Sequence, residues 1–427
     1  MSTHTDEPPA PTAATIPWVD SSFESTVSMY TPPSSSNSGV STEKSQSNDN
    51  DKTPRWTWSY KKLKSILVKT KGKTTDMVIN FVMEHLRGTK LIFVVGQAGT
   101  GKTTILSELT GLPGLQPCET VEQGTKEYQV CPALVDDEQY LFIDTAGFGD
   151  PKHDDISTFR NIVSCLTALG SFVEVVGVLF VIGNPGTRLN QQDVKTIRWL
   201  QCFCGPAFFR NVTFVTSFWD AHRENAFRQA YNRMHSLYED ENLKQVLHPS
   251  DSMRDYLGAH FYHHGVTGGQ LTLDSYPGLD LEEDLAQRKE ELLNLIRLRY
   301  AERRYKPARL QFMTEIDNEV PVLETEAAKV LRAPIVDTTV KILHGKCVLR
   351  PANGSPDQLI VKLDPNPRVE DQETWAHAIG RWFSIAMKLS SFFAAARQKN
   401  NPTVAQTLRK IWDGIRALVR ALGGIVG

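Results

Sequence analysis

Several features that mark particular classes of protein are scarce in this sequence. Its 427 residues carry 47 basic and 49 acidic side chains, and a formal charge of −2 gives no reason to expect a nucleic acid partner. Only six residues are cysteine, and without a secretory signal we expect them to be reduced thiols in the cytosol. Cys202 and Cys204 lack a second pair or a histidine at zinc spacing, so no metal site is expected there.

Long hydrophobic runs are missing as well. The longest apolar stretch, FVEVVGVLFVI from Phe172, contains Glu174 and is too short to span a bilayer, so we expect it to form a buried strand. An apolar content of 40% is nevertheless sufficient for a core, and the length of the chain allows two or three domains.

Composition divides the chain into segments of different character. Residues 1–55 are rich in Ser, Thr and Pro with few large apolar side chains, which predicts disorder. Residues 56–87 form a lysine-rich linker and a helix; the lysines indicate either a solvated face or a patch that contacts lipid or phosphate. Residues 88–304 alternate strands with helices, and residues 305–427 form a helical C-terminal module with a small β-hairpin.

The alternation in the middle segment predicts its fold class. Strands that are each followed by a helix indicate a mainly parallel sheet covered on both faces, which is a three-layer α/β fold. Two strands predicted at 125–134 and 139–145 are separated only by VDDE. We therefore expect one antiparallel pair at an edge of the sheet.

A glycine-rich motif follows the first strand of this segment. GQAGTGKT satisfies the spacing G-x-x-x-x-G-K-[ST] between an apolar strand and a helix, as in a P-loop NTPase. Glycines let consecutive amide groups turn toward phosphate oxygens, and the helix N-terminus adds its positive end. Lys102 is expected to reach the outer phosphates, and the Thr103 hydroxyl to hold Mg²⁺. The predicted phosphate-binding residues are Gly96, Gln97, Ala98, Gly99, Thr100, Gly101, Lys102, Thr103 and Thr104.

A P-loop site also needs an acidic residue at the end of a neighbouring strand, and LFIDTAGFGD contains one. Asp144 ends an apolar strand and can orient a water on Mg²⁺, and Gly147 leaves an amide free to contact a γ-phosphate. Because ATPases use the same acid, this pair does not identify the base.

The base is predicted from VTFVTSFWD, which ends another apolar strand. Asp220 can accept two hydrogen bonds from N1–H and the exocyclic amine of guanine, a pair of donors that adenine lacks. The alternative is that Asp220 caps the helix that follows, and both roles can coexist.

Taken in order, GQAGTGKT, the threonine of GTKEYQ, DTAGFGD and TSFWD resemble the septin-related P-loop GTPases, in particular the AIG1 group with its chloroplast-import Toc GTPases. The resemblance covers roughly residues 88–300 and implies a G domain that binds GTP or GDP with Mg²⁺. It implies that Thr125 is the switch threonine that contacts Mg²⁺ and the γ-phosphate, with Thr120 as the alternative. Arg188 matches an arginine that crosses a dimer interface in the import GTPases, which implies catalytic help within a homodimer; an ordinary surface arginine is the alternative.

The base-binding motifs depart from that family pattern. The usual [NT]KxD reads SFWD at 217–220, so Phe218 replaces the lysine that packs along the base, and a phenyl ring could stack there instead. The last base-contacting loop has no clear counterpart. His263 or His264 could stack on the base from that region, or both could be histidines without a ligand.

The switch motif also departs from the pattern. Phe148 follows Gly147 at the position where many GTPases carry a glutamine that orients water. An apolar ring cannot do this, so we expect slow hydrolysis unless another group supplies the missing contact. The predicted function is a slow GTPase switch that associates through its nucleotide face when GTP is bound. A nucleotide-holding scaffold and a P-loop ATPase are the alternatives.

The C-terminal module is predicted to begin with a helix broken at Pro321, followed by a hairpin with strands at 338–350 and 357–363. Two amphipathic helices follow, from Glu373 and from Thr403. The last is basic and can lie on a membrane surface, or it can pack on the G domain or on a partner helix. We therefore expect a cytoplasmic protein that is either soluble or peripheral to a membrane.

Overall fold

The structure is a computed structural model. The chain divides into two units, residues 1–52 and 53–427, and all of the described residues belong to the second. The described residues are 82–97, 99–110, 119–120, 128–145, 148–149, 155–170, 172–183, 189–220, 223–249, 256–301, 307–353, 382, 385–391 and 393–394. The predicted N-terminal tail, most of the linker and the helix from Thr403 lie outside them, as does the strand predicted at 357–363.

Strands and helices alternate in the part that carries the motifs. In chain order the elements are β1 (Thr89–Gly96), α1 (Lys102–Thr110), β2 (Glu119–Thr120), β3 (Tyr128–Val135), β4 (Glu138–Thr145), α2 (Asp155–Leu169), β5 (Val173–Gly183), α3 (Gln191–Cys204), β6 (Val212–Thr216), α4 (Glu224–Tyr238), α5 (Glu241–Leu247), β7 (His260–His263) and α6 (Leu285–Tyr300). A 3-10 helix at Pro206–Asn211 joins α3 to β6. The following elements are α7 (Gln311–Asp317), a 3-10 turn (Val322–Glu324), α8 (Glu326–Arg332), β8 (Thr338–Leu343) and β9 (Lys346–Pro351).

The seven strands before α6 form one sheet in the order β2-β3-β4-β1-β5-β6-β7. The five strands from β4 to β7 in this order run parallel, whereas β3 pairs antiparallel with β4, and β2 with β3. The turn between β3 and β4 places Asp136 and Asp137 at φ 51° and 65°, as a tight hairpin turn requires. The predicted parallel sheet with an antiparallel edge is confirmed.

Helices cover both faces of this sheet. Every residue of β1 is buried, and its side chains alternate between two apolar clusters, with Phe93 in one and Ile92 in the other. Successive side chains of a strand point to opposite faces, so a strand that is apolar throughout needs cover on both sides. Helices α1 and α6 supply it on one face, and α2 and α3 on the other. The predicted three-layer α/β fold is confirmed.

The described part of the C-terminal module packs on α3. Its first helix is broken at Pro321 as predicted: α7 ends at Asp317, and α8 begins after Thr325, whose hydroxyl accepts from the Ala328 amide. The hairpin differs from the prediction. Both strands lie within 338–351, because His344 and Gly345 adopt φ 49° and 76° and form the turn.

Two smaller expectations also change. The helix predicted to follow Asp220 begins at Glu224. Among the described residues, four cysteines are free and buried, namely Cys165, Cys202, Cys204 and Cys347. Cys131 is disulfide-bonded, so the expectation that all cysteines are reduced thiols is wrong for this residue.

One close contact fixes α6 on the sheet. The Tyr300 ring lies on Gly177 of β5, and its hydroxyl bonds the Thr213 hydroxyl of β6 at 2.7 Å. A Cβ at Gly177 would lie 2.2 Å from Tyr300 Cε1, so no larger residue fits beneath the ring.

We therefore predict that Gly177→Ala lowers the free energy of unfolding by about 1–3 kcal/mol, because the added methyl group overfills a packed contact. Urea unfolding followed by circular dichroism measures the change. The double variant Gly177→Ala/Tyr300→Leu should lose less free energy of unfolding than the two single variants lose together. Additive losses would show that the methyl group does not meet the ring.

Candidate functional site

The glycine-rich loop joins the carboxyl end of β1 to the first turn of α1. Gly96 has φ 151°, and a Cβ there would lie 2.2 Å from the carbonyl oxygen of Val181 in β5. Gly101 has φ 92°, and a Cβ there would lie 3.1 Å from Ser217 Oγ. Because both positions combine a left-handed backbone with close neighbours, only glycine fits them.

Lys102 is folded back over this loop. Its Nζ donates to the carbonyl oxygens of Gly96 at 3.1 Å and Gln97 at 2.6 Å. Burial lowers the pKa of Lys102, while the charge of Asp144 opposes that shift. The ammonium group is therefore held at the loop by two neutral main-chain carbonyls. Charged phosphate oxygens are stronger acceptors and can replace these carbonyls.

Neighbouring strand ends support the loop. The Thr100 hydroxyl donates to the Gln97 carbonyl at 2.9 Å, and Ser217 Oγ donates to the Thr100 carbonyl at 2.9 Å. The Ser217 amide in turn donates to the Gly183 carbonyl at the end of β5. Ser217 was assigned only to the base motif from sequence, and its support of the phosphate loop could not be read from sequence spacing.

Asp144 lies near the end of β4, opposite Val94 in the parallel pairing with β1. Its side chain is largely buried, and burial raises its pKa from 3.8 to about 6, although the charge of Lys102 acts in the opposite direction. Its Oδ1 atom is buried and has no hydrogen-bond partner among the described residues. A buried carboxylate oxygen without a partner is costly, so this atom is placed for a cation or an ordered water.

The polar groups around Asp144 fit Mg²⁺. Carboxylate and hydroxyl oxygens are the ligands that this ion prefers, and it keeps several of its waters. Thr103, the second predicted ligand, is exposed at the start of α1. The third, Thr125, lies outside the described residues. The orphaned oxygen of Asp144 is the observation that supports a cation here.

The turn after β6 carries the four residues of the base motif. Ser217 and Trp219 are buried, whereas Phe218 is exposed and Asp220 is half-buried. Trp219 is fully buried, and its indole N–H donates to the Thr216 hydroxyl at 2.8 Å. Phe218 adopts φ 66° and remains 39% exposed. Its Cζ atom lies 3.7 Å from the Cβ position of Gly101, so the ring stands beside the phosphate loop. A left-handed phenylalanine is strained, and the buried Trp219 retains it.

Asp220 is half-buried at the end of this turn and does not cap α4. That helix begins at Glu224, and its first main-chain bond runs from the Phe227 amide to the Arg223 carbonyl. The capping alternative is therefore wrong. In the described part of the chain no hydrogen bond or ion pair engages the Asp220 carboxylate, which leaves both oxygens for a ligand.

The two histidines after β6 are structural. His263 is buried and bonded to the Thr216 hydroxyl at 2.7 Å, and burial lowers its pKa to about 3. His264 is also buried and lies 3.1 Å from a carboxylate oxygen of Glu108. Both rings are held in the protein core, so the suggestion that one of them stacks on a base is wrong.

The described part of the switch motif, Phe148 and Gly149, is anchored on α2 and α3. Phe148 is fully buried against Trp199 of α3, with ring centroids 4.5 Å apart. The Gly149 amide donates to Asp155 Oδ1 at 2.8 Å. This contact between Asp155 and Gly149 is visible only in the fold. The expectation that Phe148 does not orient a water stays a prediction.

Several predicted site residues cannot be placed. Ala98, Thr125, Gly147 and Arg188 lie outside the described residues. Thr120, the alternative switch threonine, is in β2, where its main chain pairs with Gln129.

Residues 91–204 match the model of the family described as 50S ribosome-binding GTPase. The match begins in β1, includes the phosphate loop and the Asp144 motif, and ends with α3. The chain contains a P-loop GTPase domain. The sheet order and the position of the loop agree with this assignment, whereas the finer assignment to the AIG1 and Toc branch stays a prediction.

A curated relative has a different description. The probable FAD-binding monooxygenase ltbD of Aspergillus luteorubrus is 28% identical over 116 residues, which are 27% of this chain. The match spans about a quarter of the length of that relative (24%), so its activity does not transfer to the GTPase domain.

Solved structures of GTPases are also similar to this chain. Toc33 of Arabidopsis thaliana with Mg²⁺ and GMPPNP is 14% identical, covering 54% of this chain and 93% of that one with a TM-score of 0.35. The G domain of the T. maritima FeoB iron transporter is 14% identical, covering 48% and 98%, with a TM-score of 0.26. Both scores are below 0.5, so neither structure supports a functional argument for the GTPase domain.

The buried Asp144 predicts an unusual dependence of stability on pH. A carboxyl pKa raised to about 6 in the fold means that the nucleotide-free protein loses stability as the pH rises from about 4 to about 6. Asp144→Asn should remove this loss and stabilise the nucleotide-free protein at pH 7 by about 1–3 kcal/mol.

The measurement is thermal unfolding without magnesium or nucleotide between pH 4 and pH 8. Asp274→Asn, which changes an exposed carboxylate in the 3-10 turn Leu273–Ser275, is the matched control and should leave the pH profile unchanged. An Asp144→Asn protein that is less stable than the wild type at pH 7 would contradict the prediction.

Proposed function

We propose that this chain is a Mg²⁺-dependent GTP-binding protein that acts as a slow GTPase switch. The observation that carries the proposal is the free Asp220 carboxylate at the end of β6, beside an exposed Phe218 ring that lies over the phosphate loop. Guanine offers two adjacent donors to a carboxylate, and its flat face can stack on a phenyl ring. The two side chains together make a site for a purine with those donors.

The phosphate half of the site uses the loop between β1 and α1. Main-chain amides and the helix N-terminus would hold the phosphates, and the Lys102 ammonium would leave the Gly96 and Gln97 carbonyls for their oxygens. Asp144 and Thr103 would hold the ion, directly or through water. Bound Mg²⁺ supplies charge neutralisation at the outer phosphates. Asp144 must be ionised for this role, so Mg²⁺ affinity should increase as the pH rises through about 6.

Hydrolysis requires a group that orients the attacking water, and this group must be a residue other than Phe148. The buried Phe148 cannot orient water, so the low intrinsic rate depends on residues outside the described part of the chain. Thr125 would contact Mg²⁺ and the γ-phosphate, and Arg188 would stabilise transition-state charge across a homodimer formed through the nucleotide face.

Other assignments stay secondary. A nucleotide-holding scaffold that barely hydrolyses GTP is favoured by Phe148 and differs from the switch only in turnover. We propose a cytoplasmic location, and the basic helix predicted from Thr403 is the candidate for membrane-surface contact. Among the described helices, none is both long and apolar enough to cross a membrane.

The base assignment predicts the effect of Asp220→Asn. An amide cannot accept two hydrogen bonds from guanine, so affinity for GDP should fall by about 1.5–3 kcal/mol, roughly tenfold to hundredfold. The amide can instead donate to the O2 carbonyl of xanthine and accept from its N1–H, so affinity for XDP should rise.

Calorimetric titration of GDP, XDP and ADP in the presence of Mg²⁺ measures this change in nucleotide preference. Asp274→Asn, in an exposed turn, is the control. An unchanged preference in Asp220→Asn would favour the ATPase alternative, and absence of heat with either guanine nucleotide on folded wild-type protein would overturn the proposed function.

The switch and the scaffold predict different turnover. If Arg188 acts across a homodimer, the GTP hydrolysis rate per molecule should rise with protein concentration, and Arg188→Ala should remove that rise while GDP affinity stays unchanged. Phosphate release measured from low to high micromolar protein tests this. A rate that is negligible at every concentration would favour the scaffold.

A further inference from the structure

A continuous series of aromatic rings joins the switch motif to the C-terminal module. Phe148 packs on Trp199 at 4.5 Å, Trp199 stacks on Phe203 at 4.8 Å, and Phe203 stacks on Phe312 at 5.6 Å. We call these rings the aromatic column. All four are fully buried, and they belong to the switch motif, to α3 (two rings) and to α7.

A second contact fixes the switch motif to α3. The Gly149 amide donates to Asp155, whose other oxygen accepts from the side chains of Gln192 and Lys195 at 3.2 Å. A Cβ at Gly149 would lie 2.2 Å from Gln192 Cγ, so main chain and helix are in direct contact. The Phe148–Gly149 pair is thus held at two points on α3, and it cannot move unless α3 moves or the ring is released.

The phosphate loop also contacts the start of this helix. Gln97 Nε2 donates at 3.1 Å to Oδ1 of Asn190, which caps α3 by accepting from the Asp193 amide. The first turn of α3 therefore touches both the phosphate loop and the switch motif.

The C-terminal module holds the other end of α3. Arg198 Nη1 donates to the Ile335 carbonyl at 2.8 Å, before β8. Within the module, the Gln311 side chain accepts from the Cys347 amide and donates to its carbonyl, both at 2.8 Å. Phe312 is therefore tied to the hairpin through its neighbour Gln311.

A chain of rigid rings transmits displacement. A packed interior is not continuously deformable, so a shift of one ring requires a shift of the next or a discrete repacking. Phe148 occupies the position after Gly147 but takes no part in orienting water. Its burial instead makes it the contact through which the segment that meets the γ-phosphate is positioned.

We propose that Phe312 of the C-terminal module is a positioning residue for the phosphate-sensing segment, acting through Phe203, Trp199 and Phe148. This rests on the proposed function, in which that segment responds to the γ-phosphate. The module then stabilises the arrangement that distinguishes GTP from GDP. By reciprocity, the γ-phosphate changes the stability of the module.

The test compares affinities for GTPγS and GDP with Mg²⁺ in the full chain. Phe312→Leu removes the stacked ring and keeps a buried apolar side chain. We expect the ratio of the GDP to the GTPγS dissociation constant to fall by about fivefold or more, with GDP affinity nearly unchanged. The matched control is Phe208→Leu, an equally buried phenylalanine in the 3-10 helix before β6, at the end of that strand away from the phosphate loop.

The outcomes separate the two proposals. A ratio that is unchanged in folded Phe312→Leu, or that falls equally in Phe208→Leu, overturns the aromatic column as a positioning device and leaves the proposed function standing. A wild-type protein that binds neither nucleotide overturns the proposed function and, with it, this inference.

A second measurement needs no variant. Amide hydrogen exchange of residues 311–317 in the wild type should be slower with GTPγS than with GDP. Identical exchange in α7 for the two nucleotides, with different exchange at residues 141–145, would overturn the inference even if Phe312→Leu failed to fold.

Discussion

The central constraint in this structure is the buried carboxylate of Asp144 at the end of β4, one oxygen of which has no hydrogen-bond partner among the described residues. Parallel pairing of β4 with β1 places Asp144 opposite Val94, at the edge of the sheet where the phosphate loop begins. There its burial raises the pKa to about 6, and one oxygen is left without a hydrogen bond among the described residues. The nucleotide-free fold bears this cost, and the Mg²⁺ ion of the proposed function would relieve it. Under that proposal, stability and ligand occupancy are linked at this residue.

The phosphate loop and the SFWD motif at 217–220 are connected by a hydrogen bond. Ser217 begins the base motif, yet its hydroxyl holds the Thr100 carbonyl of the phosphate loop. Trp219 anchors the same turn from inside, bonded to Thr216. Between them, Phe218 is forced outward in a left-handed conformation. The strain at Phe218 is thus offset by burial of the tryptophan, and hydrogen bonds of its two neighbours position Phe218 relative to the phosphate loop.

The two faces of the sheet are secured by different chemistry. On one face, Arg288 of α6 donates to Glu108 of α1 at 3.0 and 3.2 Å, in a buried network that includes His264. This ion pair fixes the helix that follows the phosphate loop, and losing either partner would leave a buried charge. On the other face, apolar rings join α3 to the switch motif and to α7. Contacts of the second kind can repack without exposing a charge, which suits the face that carries the switch motif.

The sequence by itself determined the elements and the chemistry of the motifs. Alternating apolar strands and helices predicted the three layers, the VDDE turn predicted the antiparallel edge, and glycine spacing predicted the phosphate loop. These signals are local, because strand period, turn chemistry and motif spacing depend on residues close in the chain. The hairpin was placed partly wrongly, since His344-Gly345 was not recognised as its turn.

Only the tertiary structure decided that Asp220 is not a helix cap and that the two histidines are core residues. It also decided that Ser217 supports the phosphate loop and that Phe148 reaches Phe312 through α3. Each of these depends on side chains that are distant in sequence and become neighbours only when the sheet and its covering helices pack.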